Sequence, residues 1–159
     1  MTPKDFWRFA EGYLDLPYIF GADGPKSFDC SGLAQFLLAH LALDPPGDQN
    51  ADTLYRHFSD PQNGVPVGLS DAHCGTLVFY GKPSRVGHIA VCLTPTLMIE
   101  AGGGGPETIS VEIAKKTKAK VRVRPIRRRP DIVGLRRPVR LPWSPAATDP
   151  EIAAGLETR

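Results

Sequence analysis

Cysteine is scarce in this chain, and the three that it has are an odd number: Cys30, Cys74 and Cys92. No pair stands at CxxC spacing, which argues against a disulfide framework and against a zinc ribbon. No run approaches 18 apolar residues, so no transmembrane helix is expected. The first residues, Met1-Thr2-Pro3-Lys4-Asp5-Phe6-Trp7-Arg8, contain no apolar core of a signal peptide. The expectation is synthesis in the cytoplasm without a signal peptide, with delivery left to something else. There is no internal repeat and no low-complexity segment.

Overall charge is also slight, at +2, but the two parts of the chain oppose one another. Residues 1–110 carry 6 Lys/Arg against 12 Asp/Glu, and residues 111–159 carry 13 against 5. A basic C-terminal part suits an anionic polymer, an acidic neighbour or nucleic acid; the plainer reading is a strand pair with solvated arginines on its outer face. Specific nucleic-acid binding is disfavoured, because no helix-turn-helix, zinc finger or aromatic stacking platform accompanies the charge. At 159 residues, 42% hydrophobic, the chain can bury one sizeable core.

Patterning separates helices from strands. Thr2-Pro3-Lys4-Asp5 has a capping threonine, a first-turn proline and an acidic third position, and Phe6, Phe9, Ala10, Tyr13 and Leu14 recur at helical spacing over residues 3–14. A second helix is expected over 30–42, apolar nearly all round and therefore central. Asn50 can cap a third over 51–58, and residues 59–73 read as a polar connection rich in proline and glycine. Strands follow at 76–80, 87–93 and 97–101, then a short helix at 110–118 and a closing strand pair at 121–126 and 132–136. Helices followed by strands predict an α+β fold, with helices packed on an antiparallel sheet of five to six strands. The domain is expected to span 1–140, with 141–159 a tail, proline-rich and then weakly helical, that packs on something else or stays mobile.

The chemistry centres on Ser27-Phe28-Asp29-Cys30-Ser31-Gly32-Leu33. This stretch places Cys30 at a helix N-terminus, where free N–H groups and the helix dipole favour the thiolate, the nucleophilic form. A lone cysteine is more often a small buried hydrophobe, so Cys30 needs a base. His40 and His57 fall near helix ends and read as surface residues, and His73 lies in a loop without a spaced set of metal ligands. His88 opens a strand after Arg85-Val86-Gly87, and alternation puts it on one face with Ala90 and Cys92. Glu100 stands among Leu97-Met98-Ile99, where a carboxylate is costly unless paired. Accepting the Nδ1–H of an imidazole would satisfy it, as the third member of a triad does; a strand-end carboxylate reaching solvent is the alternative.

In order, Pro17-Tyr18-Ile19-Phe20-Gly21, Phe28-Asp29-Cys30-Ser31-Gly32, Gly75-Thr76-Leu77-Val78-Phe79, Gly87-His88-Ile89-Ala90-Val91 and Met98-Ile99-Glu100-Ala101 resemble the NlpC-type cell-wall peptidases. The resemblance covers residues 5–137. It implies a papain-like fold and cleavage of an amide in peptidoglycan stem peptides, with Cys30 as nucleophile and His88 as general base. Glu100 falls where the family often has a second histidine, a real departure. Tyr18 matches a tyrosine beside the nucleophile, and its hydroxyl and the Cys30 backbone N–H are the implied oxyanion donors. Asp29 and Ser31 resemble residues that contact the substrate's amine end, although Asp29 is equally suited to cap the helix. No metal or organic cofactor is implied. The bond implied is that between γ-D-glutamate and a diamino acid. Single-domain members without an export signal resemble versions carried by phage or phage-like tails, which would give residues 111–159 a tail protein or an anionic envelope polymer to meet. The competing readings are a non-catalytic wall-binding or tail module, and a thiol amidase or acyltransferase acting on another substrate.

Overall fold

The computed structural model describes residues 1–159. Three helices precede most of the sheet: α1 (Pro3–Glu11), α2 (Cys30–His40) and α3 (Ala51–Ser59). The strands are β1 (Gly64–Val67), β2 (Leu77–Lys82), β3 (Arg85–Cys92), β4 (Leu97–Gly102), β5 (Lys120–Pro125) and β6 (Ile132–Pro138), with α4 (Val111–Thr117) between β4 and β5. They form one six-stranded antiparallel sheet in the order β1-β6-β2-β3-β4-β5. This is the α+β arrangement expected from the pattern. No helix is long and apolar enough to cross a membrane.

Each helix start is satisfied by its own sequence. Thr2 and Asp5 form a reciprocal capping box on α1, and Asn50 and Thr53 form another on α3. α1 ends at Glu11 rather than at residue 14. The chain leaves the helix because the Asp15 N–H donates to the Val121 carbonyl at 2.9 Å, tying the exit to β5. Strand β1 lies inside the stretch read as a polar connection. It is four residues long, carries Pro66, and forms the sheet's edge, where proline is tolerated and apolar alternation is weak.

The sheet buries both faces. On one, Leu77, Phe79, Ile89, Val91, Ile99, Val121 and Val123 meet Leu33, Leu37, Leu54 and Phe58 of the helices. On the other, Val78, Tyr80, Ala90, Cys92 and Met98 pack with Ala72, Ile126 and Leu135 in a smaller core. The tail folds back onto the body instead of standing free. Trp143 packs on Phe6 and donates its Nε1–H to the Cys74 carbonyl at 3.1 Å. Asp149 accepts the Cys74 N–H at 2.8 Å and faces His73 Nδ1 at 3.0 Å.

One irregularity positions the site. β4 pairs with β5 over six positions, but with β3 only at Val91↔Ile99 and Cys92↔Met98. Toward His88 and Glu100 the two strands no longer pair. The N-terminus of α2, which packs on both strands, meets the sheet at this opening.

Candidate active site

Cys30 is the first residue of α2, and Asp29 is its N-cap. Asp29 Oδ1 accepts the Gly32 N–H at 2.7 Å and Oδ2 accepts the Gly21 N–H at 2.9 Å, so one carboxylate holds both the helix start and the loop before it. Gly32 is required by that loop: a Cβ there would lie 2.0 Å from the Ala22 carbonyl oxygen. The Cys30 and Ser31 amides are spent on no backbone acceptor and remain first-turn donors beside the sulfur. Ser31 is nearly buried and donates its hydroxyl to Asp29 at 3.3 Å.

His88 and Glu100 come from the two strands that part. His88 Nε2 lies 2.8 Å from Glu100 Oε1, and Glu100 is 3% exposed. The carboxylate is therefore paired and buried rather than solvated. The nitrogen it engages is Nε2, not the Nδ1 expected from the sequence, and this leaves Nδ1 as the ring's other polar atom. Glu100 meets the ring where β3 and β4 have ceased to pair. β3 is an interior strand, so this opening, and not an outer edge of the sheet, exposes the histidine to the helix.

Burial opposes the charged form of His88, but hydrogen bonding to Cys30 and Glu100, and the negative charge of each, outweigh it and raise the imidazole from 6.5 to about 9. Burial likewise pushes Glu100 up, while His88 and Arg122 together pull it below the usual carboxylate range to about 2. Both directions favour an imidazolium–carboxylate pair at neutral pH. Tyr18 is buried beside Cys30, and burial together with the Cys30, Asp29 and Glu107 charges pushes its phenol upward, keeping it a neutral donor. Its ring rests against Gly104, where a Cβ would come within 2.4 Å of it.

These groups line one cavity of about 750 Å³ that takes in Tyr18, Asp29, Cys30, Ser31, His88 and Glu100 together. A thiol at a helix N-terminus, an imidazole on the same cavity and a carboxylate bonded to that imidazole are the parts of an activated nucleophile. His40 stacks on Phe9 and His57 meets Phe58 edge-on, both away from this cavity. Cys74 and Cys92 are fully buried, and burial raises both thiols. No group of three or more His, Cys, Asp or Glu residues is arranged to hold a metal.

Two features were missed in the sequence. Arg122 Nε donates to Glu100 Oε2 at 2.8 Å, with only 13% of its side chain exposed. It is thus not one of the solvated arginines that the basic segment suggested. An arginine alternating with valines, opposite an unexplained carboxylate, was the available signal. The other is Gln35, whose amide binds the Gln49 backbone through both its oxygen (2.8 Å) and its nitrogen (2.9 Å) and thereby fixes the loop forming another cavity wall.

The model of the NlpC/P60 family matches residues 15–128, well over half of the chain. A probable endopeptidase p60 of Listeria grayi is 32% identical over 96 residues, covering 60% of this chain and 17% of that protein. The chain thus spans about a sixth of the length of the curated p60 relatives it matches. Among solved structures, the P60 domain of a Mycobacterium avium subspecies paratuberculosis antigen superposes with a TM-score of 0.61 at 26% identity, covering 85% of this chain and 93% of that one. The NlpC/p60 domain of the peptidoglycan hydrolase SagA gives a TM-score of 0.60 at 20% identity, over 85% and 97% respectively, and shows the shared fold. Through its matched family model and the architecture that carries Cys30 and His88, the chain belongs to the NlpC/P60 family.

Proposed function

We propose that the protein is a cysteine peptidase of peptidoglycan stem peptides. The observation that carries this reading is Cys30 at the α2 N-terminus on one cavity with His88, whose Nε2 is held by buried Glu100. Membership of a family whose relatives are named as probable endopeptidases, and a shared fold with a peptidoglycan hydrolase domain, supply the substrate class.

In this mechanism the Cys30 thiolate attacks the scissile carbonyl carbon, forming the C–S bond. The oxyanion is met by the Cys30 N–H and the Tyr18 hydroxyl. Collapse breaks the C–N bond as the His88 imidazolium gives its proton to the leaving amine. Water then attacks the thioester, His88 takes its proton, the C–S bond breaks, and a carboxylate leaves. Glu100 holds the imidazole throughout and stabilises its charged form. No step requires a metal or an organic cofactor.

The bond cut is the amide between γ-D-glutamate and a diamino acid. Asp29 and Ser31 lie on the wall where the substrate's amine end would sit; both Asp29 oxygens already hold backbone amides, so Asp29 acts there through its charge and not as a free acceptor. Carriage on a phage or phage-like tail is part of the same proposal, supported by the basic surplus of residues 111–159; recovery of the protein in purified particles tests it.

Digestion of purified Gram-negative peptidoglycan, with products identified by mass spectrometry, tests the activity. Wild type should release stem-peptide fragments that Cys30→Ala and His88→Ala do not. If wild type releases none while Cys30 still reacts with iodoacetamide at neutral pH, the thiol is active and the substrate class is wrong. If Cys30 is inert as well, the domain is a binding module.

A further inference from the structure

Glu100 has two carboxylate oxygens, and His88 uses only one. The other accepts Nε–H of Arg122 at 2.8 Å from the directly opposed position on β5. The backbone is shaped around this contact. A Cβ on Gly102 would come 2.4 Å from Glu100 Oε2 and 3.0 Å from Arg122 Nη2, and one on Gly103 would come 3.3 Å from Nη1. Two consecutive glycines in the cavity wall therefore let the guanidinium reach the carboxylate.

From this geometry we infer that Arg122 is a positioning residue of the reaction: by fixing Oε2 it aims Oε1 at His88 Nε2 and keeps Glu100 ionised, so that the imidazolium keeps its partner. The inference rests on the reading of Cys30 and His88 as the reacting pair. A buried carboxylate bonded only to an imidazole can rotate away or take up a proton; with a guanidinium on its second oxygen it can do neither cheaply. Other groups do not substitute for Arg122. Tyr80 and Arg129 face the same region from β2 and from the loop after β5, but Arg129 is held by both oxygens of Asp131, and the Tyr80 hydroxyl is spent on the Ile126 carbonyl. Arg124, two residues along β5, donates to the Glu157 carbonyl. None of these three contacts Glu100.

The test is the pH dependence of Cys30 alkylation by iodoacetamide in the full chain, read by mass spectrometry from pH 4 to pH 10. Cys74 and Cys92, both 0% exposed, serve as internal controls for the fold. In Arg122→Met, Glu100 takes up a proton at higher pH, the imidazolium loses its partner and the thiolate loses its counter-ion. The acid limb should move up by about one pH unit, an approximately tenfold loss of rate on that limb. Arg122→Lys keeps the charge without the Nε contact and should move the limb by less; it carries the test if the methionine variant does not fold. In a Glu100→Gln background, Arg122→Met should cost no more than about twofold further, because the two residues act as one unit. An unchanged acid limb in both Arg122 variants, or losses that multiply in the double variant, would overturn the assignment. If wild-type Cys30 shows no reactivity at neutral pH, the reacting-pair reading fails and this inference falls with it. A normal wild-type profile with unchanged variants sinks Arg122 alone.

Discussion

Replacing Glu100 with glutamine removes a charge and almost no volume, which isolates what the carboxylate does electrostatically. His88 is 8% exposed, and burial alone would push its imidazole below 6.5. It sits at about 9 because Cys30 and Glu100 more than offset that burial. A rise from 6.5 to about 9 corresponds to roughly 3 kcal/mol in favour of the imidazolium, shared between the two partners. With glutamine at 100, burial and Cys30 remain and the carboxylate's share is lost. The imidazolium should then lose its proton at least ~1 pH unit lower, since half of that energy corresponds to about one unit. The alkaline limb of peptidoglycan hydrolysis, where the imidazolium must give its proton to the leaving amine, should move down accordingly. Near pH 10, on that limb, the variant should hydrolyse about tenfold more slowly than wild type, and at pH 8 about twofold more slowly. The assay is initial rate from pH 5 to pH 10, with the melting temperature followed in parallel. An alkaline limb that stays in place, with activity lost evenly at every pH, would refute the electrostatic role and leave Glu100 as a shape-filling residue.

Gly32→Ala should cost about 1–3 kcal/mol or more, because its new Cβ would meet the Ala22 carbonyl oxygen rather than a flexible side chain; calorimetry should show a drop of about 2–4 °C per kcal/mol. Asp29→Ala removes the α2 cap and the tether to Gly21 and should destabilise by about 1–2 kcal/mol, whereas Asp29→Asn, which keeps an acceptor oxygen, should lose less in denaturant titration. Stability should also follow pH through the buried pair. His88 is raised from 6.5 to about 9, so its contribution is complete below about 6.5 and fades as pH rises through about 9. Glu100 is lowered from 4.5 to about 2, so its contribution is complete above about 4.5 and is lost as pH falls through about 2. Melting temperatures should therefore be highest between about pH 4.5 and pH 6.5, and His88→Ala should flatten the alkaline decline.

The sequence by itself determined what depends on near neighbours along the chain. Thr2 with Asp5, Asp29 with Gly32 and Asn50 with Thr53 are contacts three residues apart, and they start the three helices where local pattern placed them. Alternation in Gly87–Cys92 put His88 on one face with Ala90 and Cys92, and the neighbouring register with Tyr80 keeps it there. The tertiary structure decided what depends on pairing across distance. β1 is a strand only because β6 lies beside it, and α1 stops at Glu11 because β5 captures the next turn. Glu100 meets His88 where β3 and β4 cease to pair, and it meets Arg122 because β5 places that residue directly opposite. Local propensity carries no information about either. A cap is satisfied within one turn of helix, whereas a buried carboxylate is satisfied by whichever strand the fold brings to it.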